Sequence, residues 1–323
     1  MSDFAATDVT ICIPAYNAAA FIDRTIRFAQ GQTYPHVRIL ISVDRSDDDT
    51  AAICRAFAAS DRRIEVTEQS ERLGWAGNVN SLLERIDTPF FFTYFHDDVV
   101  LPQYCELLRA TLLDRPELAS THCDLVLFGE IEADKPGADY AGPVTERIIS
   151  LWTKPRRGSP LRSMVRTERV DAAYRLSERA VDSFLPGLTL LTRLMAAGPA
   201  ARCPHRLYLR WQRKGGLTDG WSRLPLSQLV EGWAAEIGDA GAVFDGLPID
   251  AADRSALKSS LVLYALSQLA EPHRAEGLAL PAPDALHPEV SAAALAQDFS
   301  RFGPVIDGQI QAYRRKLAAA FQP

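Results

Sequence analysis

The chain lacks the marks of several common protein classes. Its 323 residues contain five cysteines, Cys12, Cys54, Cys105, Cys123 and Cys203, an odd number with no CxxC spacing. Neither a disulfide framework nor a zinc ribbon is therefore expected, and the thiols read as reduced and buried. No apolar run approaches a membrane span; the longest, such as 89–95, are strand-sized. Residues 1–10 carry neither a basic n-region nor an apolar h-region, so no signal peptide is expected there and a cytoplasmic location is. A basic excess is missing too: 35 Lys and Arg stand against 41 Asp and Glu, for a net charge of -6. Nucleic acid and anionic membrane surfaces are thus not expected partners. GxGxxG opening a helix, GxxxxGK[ST], HExxH and GxSxG are all absent, which removes the dinucleotide fingerprint, the P-loop, the zincin helix and the nucleophile elbow. There is no internal repeat and no low-complexity tract.

What is present is the balance of a globular protein with a real core, 47% hydrophobic and 24% charged. The length suits one large domain or one domain with a helical appendage. The first half alternates strand and helix signals. Val9 to Ile13 is a β-branched run ended by Pro14; Phe21, Ile22, Thr25, Ile26 and Ala29 follow at helical spacing and stop at Gly31. Val37–Val43 is a second strand, and Ser46 and Asp47 are N-cap candidates for a helix through Phe57. Ile64–Thr67, a helix over Ala76–Ile86, an apolar strand over Pro89–Phe95, an amphipathic helix around Tyr104–Leu112 and a strand over Leu118–Phe128 complete the series. This order predicts a mostly parallel sheet with helices on both faces, whose ligands bind beyond the C-terminal strand ends. Gly129–Pro160, rich in Gly, Pro and charge, reads as a loop or lid. Helices are expected over Val181–Ala197, Leu226–Ile237, Ala251–Leu269, Ser291–Phe299 and Ile306–Phe321, and a strand over Leu207–Trp211.

Four polar clusters follow strands or open helices. In His96-Asp97-Asp98, two adjacent carboxylates repel one another, and a divalent cation would remove that cost and neutralise a leaving diphosphate; Asp98 as a plain helix cap stays open. Asp47 to Asp49 suit the first turn of a helix, whereas Asp44 directly follows a strand and would point into the ligand crevice. Tyr16 in Pro14-Ala15-Tyr16-Asn17 could stack on a flat base, or the four residues form an ordinary turn. Arg72 beside Gly74 and Gly77 could meet phosphates, or belong to a simple loop.

In this order and spacing the clusters resemble the family 2 glycosyltransferases of the GT-A fold. The resemblance covers roughly the first 120 residues: Ile13 to Asn17, the acidic segment from Asp44, the loop from Arg72 with the helix containing Ala76 and Asn78, and the strand ending in Asp97-Asp98 before Pro102. It implies that Tyr16 stacks on a nucleobase and Asp44 hydrogen-bonds it, and that Pro14, Ala15, Asn17 and Arg72 help shape the nucleotide site. Asp97 would reach the ribose and Asp98 would be the direct ligand of Mg²⁺ or Mn²⁺. His96 would face the crevice rather than bind metal. The chain departs from the family pattern at Val43 and Arg72. It departs further in the acceptor half, where Leu190 to Gly198 and Leu207 to Arg210 fit but Pro186-Gly187 replaces an acidic pair. Inverting transfer needs a carboxylate to take the acceptor proton; Asp182 is the nearest candidate, with a surface or capping role as the alternative. Arg213 and Lys214 stand where relatives carry a His and would act as fixed charge on the diphosphate.

The expectation is therefore an α/β protein of GT-A type (Rossmann-like), with a mostly parallel sheet flanked by helices and a C-terminal helical extension. Residues 1–222 would form the transferase domain, 1–128 as the nucleotide-sugar-binding half and 129–222 as the acceptor half, with 223–323 helical. The resemblance implies transfer of a hexose or similar sugar from a nucleoside-diphosphate sugar, UDP favoured, to a saccharide or lipid-linked acceptor, by inversion, in polysaccharide or glycolipid assembly. A homodimer contact through the helical tail stays open. So do a nucleotide-sugar-binding protein without catalysis and a sugar nucleotidyltransferase.

Overall fold

Four parallel strands carry the first half of the molecule: Val9–Ala15 (β1), Val37–Val43 (β2), Ile64–Glu68 (β3) and Phe90–Thr93 (β4), in the spatial order β3-β2-β1-β4. Every residue of β1 is buried, and so is all of β2 except Arg38, which is why these segments read as unbroken apolar runs rather than alternating ones. The computed structural model describes residues 7–153, 160–177, 179, 187–213, 220–221, 223–273, 279–291 and 295.

Helices Ile22–Gln30 (α1), Thr50–Ser60 (α2), Gly74–Leu83 (α3) and Tyr104–Asp114 (α4) connect and flank these strands. Helix α1 buries Ile22, Thr25, Ile26 and Ala29, the spacing of a one-faced helix. Helix α2 has Asp49 at its N-cap position rather than the expected Ser46 or Asp47, and Asp48 Oδ1 takes the Thr50 N–H at 3.0 Å. The core beneath gathers Ile11, Ile13, Ile26, Ile39, Phe92 and Tyr104, none of them measurably exposed.

The remaining strands are Val99–Val100 (β5), Ser120–Gly129 (β6), Ala133–Lys135 (β7), Met164–Arg166 (β8) and Ala200–Gln212 (β9). The sheet continues β4-β8-β6-β9-β5, with β7 paired to β6 off this path. Here the directions mix: β8 runs antiparallel to β4 and β6, β9 parallel to β6, and β5 antiparallel to β9. The expected strand over Leu207–Trp211 is the end of the much longer β9.

One expectation is corrected outright. Within the stretch read as a loop, Val144–Thr153 is a helix (α5) that buries Thr145, Ile148, Ile149, Leu151 and Trp152. Helix Leu188–Ala197 (α6) matches the later part of the helix expected from Val181; residues 180–186, Asp182 and Pro186 among them, lie outside the described residues. Leu226–Asp245 (α7) and Ala251–His273 (α8) are longer than expected, and Pro283–Leu286 (α9) follows. The helix expected over Ile306–Phe321 and nearly all of that over Ser291–Phe299 fall outside the described residues.

The chain folds as two compact units, Met1–Ala141 with Arg156–Glu178 and Arg193–Lys214, and Gly142–Pro155 with Arg179–Thr192 and Gly215–Pro323. Segments 142–155 and 179–192, assigned from sequence to the first domain, thus fall in the second unit. Its described part is built on an aromatic contact: Trp152 stacks on Tyr264 at 5.8 Å and Trp233 meets Tyr264 edge-on at 5.6 Å. All five cysteines are free and buried. Among the described residues no helix is long and apolar enough to cross a membrane.

Candidate functional site

Strand register brings the sequence clusters together. Ala15 pairs with Val43 and Cys12 with Thr93, so Tyr16, Asp44 and the loop at 95–98 leave one edge of the parallel sheet. This is the edge where open α/β sheets take ligands. Every described residue of the site lies in the first unit.

The floor is fixed by backbone groups. The Ala15 carbonyl accepts the Asp44 N–H at 2.8 Å, and Asn78 Nδ2 donates to the carbonyls of Ala15 (3.3 Å) and Ser42 (3.1 Å). His96 Nδ1 donates to the Pro14 carbonyl at 3.1 Å. Pro14 and Ala15 are themselves buried and act through their carbonyls. Asn17, at φ 44, is the residue that turns the chain; short polar side chains tolerate this left-handed region best. Its Oδ1 accepts the Asp47 N–H at 2.9 Å, and Asp48 Oδ2 accepts the Ala19 N–H at 2.9 Å. Burial works to lift the Asp48 carboxyl, but hydrogen bonds from Thr50 and Ala19 outweigh it and hold it below its ordinary range. Asp48 is therefore a latch between two loops rather than only a helix-start charge.

Above this floor sit Tyr16, Asp44 and Arg72. Asp44 is fully buried and Arg72 is 42% exposed. Asp44 Oδ1 accepts the N–H groups of Arg45 (3.0 Å) and Leu73 (2.8 Å), while Oδ2 is paired with Arg72. The same guanidinium lies over the half-buried Tyr16 ring, 3.4 Å from its centroid, a cation–π geometry.

The two adjacent aspartates face different surroundings. Asp98 is 2% exposed; its Oδ1 accepts the Trp211 N–H at 3.0 Å and its Oδ2 is held by Arg162 Nε (3.2 Å) and Nη2 (3.1 Å). Burial opposes the Arg162 charge, but the Asp98 carboxylate outweighs it and pushes Arg162 above its ordinary value. Asp97 is 24% exposed and touches Arg213 Nε at 3.4 Å. Asp98, expected from sequence as the direct metal ligand, has both oxygens engaged within the protein, and Asp97 is the more exposed carboxylate of the two.

Sequence reasoning missed most of what surrounds these aspartates. Arg24 Nη2 donates to the Asp97 carbonyl at 3.0 Å, and Thr25 Oγ1 to the His96 carbonyl at 2.6 Å, pinning the loop to α1. Phe21 meets Trp211 edge-on at 5.1 Å, with Arg24 and Arg213 5.7 and 5.5 Å from the Trp211 ring. Arg210 is pushed below its ordinary value, first by burial and then by Arg162. Four arginines so placed around two aspartates leave an excess of positive charge suited to an anion. Lys214 and Asp182 lie outside the described residues.

Among the described residues no group of three His, Cys, Asp or Glu forms a metal cage. One partly exposed carboxylate, Asp97, still fits Mg²⁺ or Mn²⁺ if a diphosphate brings the remaining oxygens, the usual way magnesium is held in phosphate sites.

The comparisons agree with this geometry. A glycosyl transferase family 2 model matches residues 10–156. An uncharacterized glycosyltransferase of Haemophilus influenzae is 26% identical over 147 residues, 46% of this chain and 44% of that protein. A GalNAc(5)-diNAcBac-PP-undecaprenol beta-1,3-glucosyltransferase of Campylobacter jejuni is 28% identical over 153 residues, 45% of this chain and 46% of that one. The chain thus spans less than half the length of these relatives. Among solved structures, S. aureus TarS 1–349 in complex with UDP-GlcNAc superposes with a TM-score of 0.66 at 12% identity, covering 96% of this chain and 88% of that one. The mannosyltransferase PcManGT from Pyrobaculum calidifontis, solved with GDP-Man and Mn2+, gives 0.52 at 14% identity, covering 99% and 88%. Strand order and the sequence match agree: residues 10–156 are similar to glycosyl transferase family 2, and the fold is of GT-A type.

Proposed function

We propose that this chain is a glycosyltransferase that moves a sugar from a nucleoside-diphosphate sugar to an acceptor hydroxyl. The observation that carries the reading is the convergence of Tyr16, Asp44, Arg72 and Asp97 on one strand edge. A flat guanidinium already covers the Tyr16 ring, and a flat base suits the same face. Asp44, fully buried with both oxygens committed, fixes Arg72, whose part-exposed guanidinium offers N–H donors to a base carbonyl. UDP is the favoured donor nucleotide, the one in the complex of the TarS neighbour.

Asp97 would hold Mg²⁺ or Mn²⁺ together with the diphosphate, and the bound ion would neutralise charge on the leaving group. Arg24 and Arg213 supply fixed positive charge beside it, pre-oriented by Trp211 and Phe21. Asp98 and Arg162 act as a buried strut that holds the Asp97 loop against β9. Inversion at the sugar, Asp182 as proton acceptor, a saccharide or lipid-linked acceptor, a cytoplasmic setting and a homodimer belong to the same proposal; the lipid-linked class is the one named for the Campylobacter relative.

Gly187 in place of an acidic residue at the start of α6 favours the rival, a nucleotide-sugar-binding protein without catalysis. The test is to incubate the protein with UDP-glucose, UDP-GlcNAc and GDP-mannose, with and without Mn²⁺, and measure both binding and diphosphate release. Binding with release supports the transferase, binding without release the rival, and neither would refute both.

A further inference from the structure

Among the described residues, Arg213 is the one side chain that bonds the Asp97 carboxylate, through Nε to Oδ2 at 3.4 Å. The pair is partly open, with the arginine side chain 30% and the aspartate 24% exposed. Both partners are held in place from elsewhere. Arg24 Nη2 donates to the Asp97 carbonyl at 3.0 Å, and the Arg213 guanidinium lies 4.9 Å from the Phe21 ring centroid and 5.5 Å from that of Trp211, within cation–π range. The Trp211 ring is seated in turn by Gly129 at the end of β6. At its φ of 105 a Cβ would come within 2.7 Å of Trp211 Cδ1 and 2.8 Å of Nε1, so glycine leaves the room that the indole fills. The guanidinium thus has a fixed seat on two rings and a weak, solvent-accessible ion pair.

We propose that Arg213 is a charge-exchange residue: it pairs with Asp97 until a nucleotide arrives, then passes to the diphosphate and leaves Asp97 to the cation. The inference rests on the transferase reading above and adds the order in which the site loads. Asp97 is the carboxylate proposed for Mg²⁺ or Mn²⁺, yet a cation of the chain itself already neutralises it. Arg24, Arg162, Arg210 and Arg213 together outweigh the charges of Asp97 and Asp98. A divalent ion arriving alone is therefore repelled and must also displace Arg213, whereas a diphosphate is attracted and offers the guanidinium a second anion. Because the rings hold Arg213 in place, the exchange is a change of partner and not a long excursion. Nucleotide and ion then bind with positive coupling, and by linkage each tightens the other by the same factor.

The test measures binding rather than turnover, on the full chain: Mn²⁺ by electron paramagnetic resonance with and without UDP, and UDP by calorimetry in a metal chelator. Arg213→Gln removes the charge at a partly exposed position. Without nucleotide it should bind Mn²⁺ about threefold or more tighter than wild type. In chelator it should bind UDP about tenfold or more weaker. The factor by which UDP tightens Mn²⁺ should shrink accordingly. Arg213→Lys, which keeps the charge, should hold Mn²⁺ affinity near the wild-type value. In the Asp97→Asn background the gain from Arg213→Gln should vanish, since it passes through that carboxylate. Equal Mn²⁺ affinity in wild type and Arg213→Gln, or a gain that survives Asp97→Asn, would overturn the inference and leave the transferase reading standing. Wild-type protein that binds UDP neither in chelator nor in Mn²⁺ would overturn both.

Discussion

Arg72 lays its guanidinium over the ring of Tyr16, 3.4 Å from the centroid, while its other face of charge is spent on buried Asp44. Two residues 56 positions apart, Tyr16 after β1 and Arg72 before α3, are thereby held as one surface. On the proposal that a base stacks there, the first consequence concerns Tyr16. Stacking of a base on an aromatic ring contributes about 1–3 kcal/mol. Tyr16→Ala should therefore weaken UDP binding by about tenfold or more, and Tyr16→Phe should preserve it, as measured by calorimetric titration.

The neighbouring aspartates should separate cleanly. Asp98→Ala strands Arg162 as a buried charge and should cost about 3–5 kcal/mol of stability in urea unfolding. Asp97→Asn, at a partly exposed site, should cost under about 1 kcal/mol. Nucleotide affinity in Mn²⁺ should show the reverse emphasis, falling at least about tenfold in Asp97→Asn.

Asn78 ties the ends of β1 and β2 beneath Tyr16 and Asp44. Asn78→Ala should lower stability by about 1–3 kcal/mol, because buried carbonyls lose a donor. It should also weaken UDP binding although Asn78 itself is buried beneath the site, a coupling that Asn78→Ala with unchanged affinity would contradict.

Glu236, buried on α7, makes stability depend on pH. Its folded pKa of about 7 lies above the ordinary 4.5, so the folded protein holds this proton more tightly than the unfolded chain. The stability contributed by the neutral carboxyl is present below about pH 4.5 and is lost as pH rises through about 7. Relative to Glu236→Gln, the wild type should lose on the order of 3 kcal/mol between these limits, read from unfolding midpoints at pH 5 and about pH 8 in the same buffer series.

Much of this architecture was legible in the sequence, and the exceptions have physical causes. The strands β1 to β4 announced themselves because a buried parallel strand must be apolar at nearly every position. Helix α1 did so because one buried face repeats at i, i+3, i+4 and i+7. Helix α5 was hidden: Ile148, Ile149, Leu151 and Trp152 make its buried face, but the Gly, Pro and charge on both sides dominate any reading of the segment. The fates of Asp97 and Asp98 were not legible, since adjacent identical residues carry no local signal. Their division follows from β5 pairing with β9, where Val99 opposite Leu209 carries the Trp211 N–H to Asp98. Arg162 lies in a three-residue turn with no periodicity, 64 positions from its partner.

On the proposed function, one sheet edge holds a nucleoside diphosphate between Tyr16 and Asp97. Calorimetric titration of UDP in Mn²⁺ into wild type, Tyr16→Ala and Asp97→Asn tests it most directly. Saturable binding to the wild type is expected, with weakening of about tenfold or more in each variant and both variants as stably folded as the parent to within about 1 kcal/mol. Equal affinity in all three proteins, or no binding of any nucleoside diphosphate by the wild type, would contradict it.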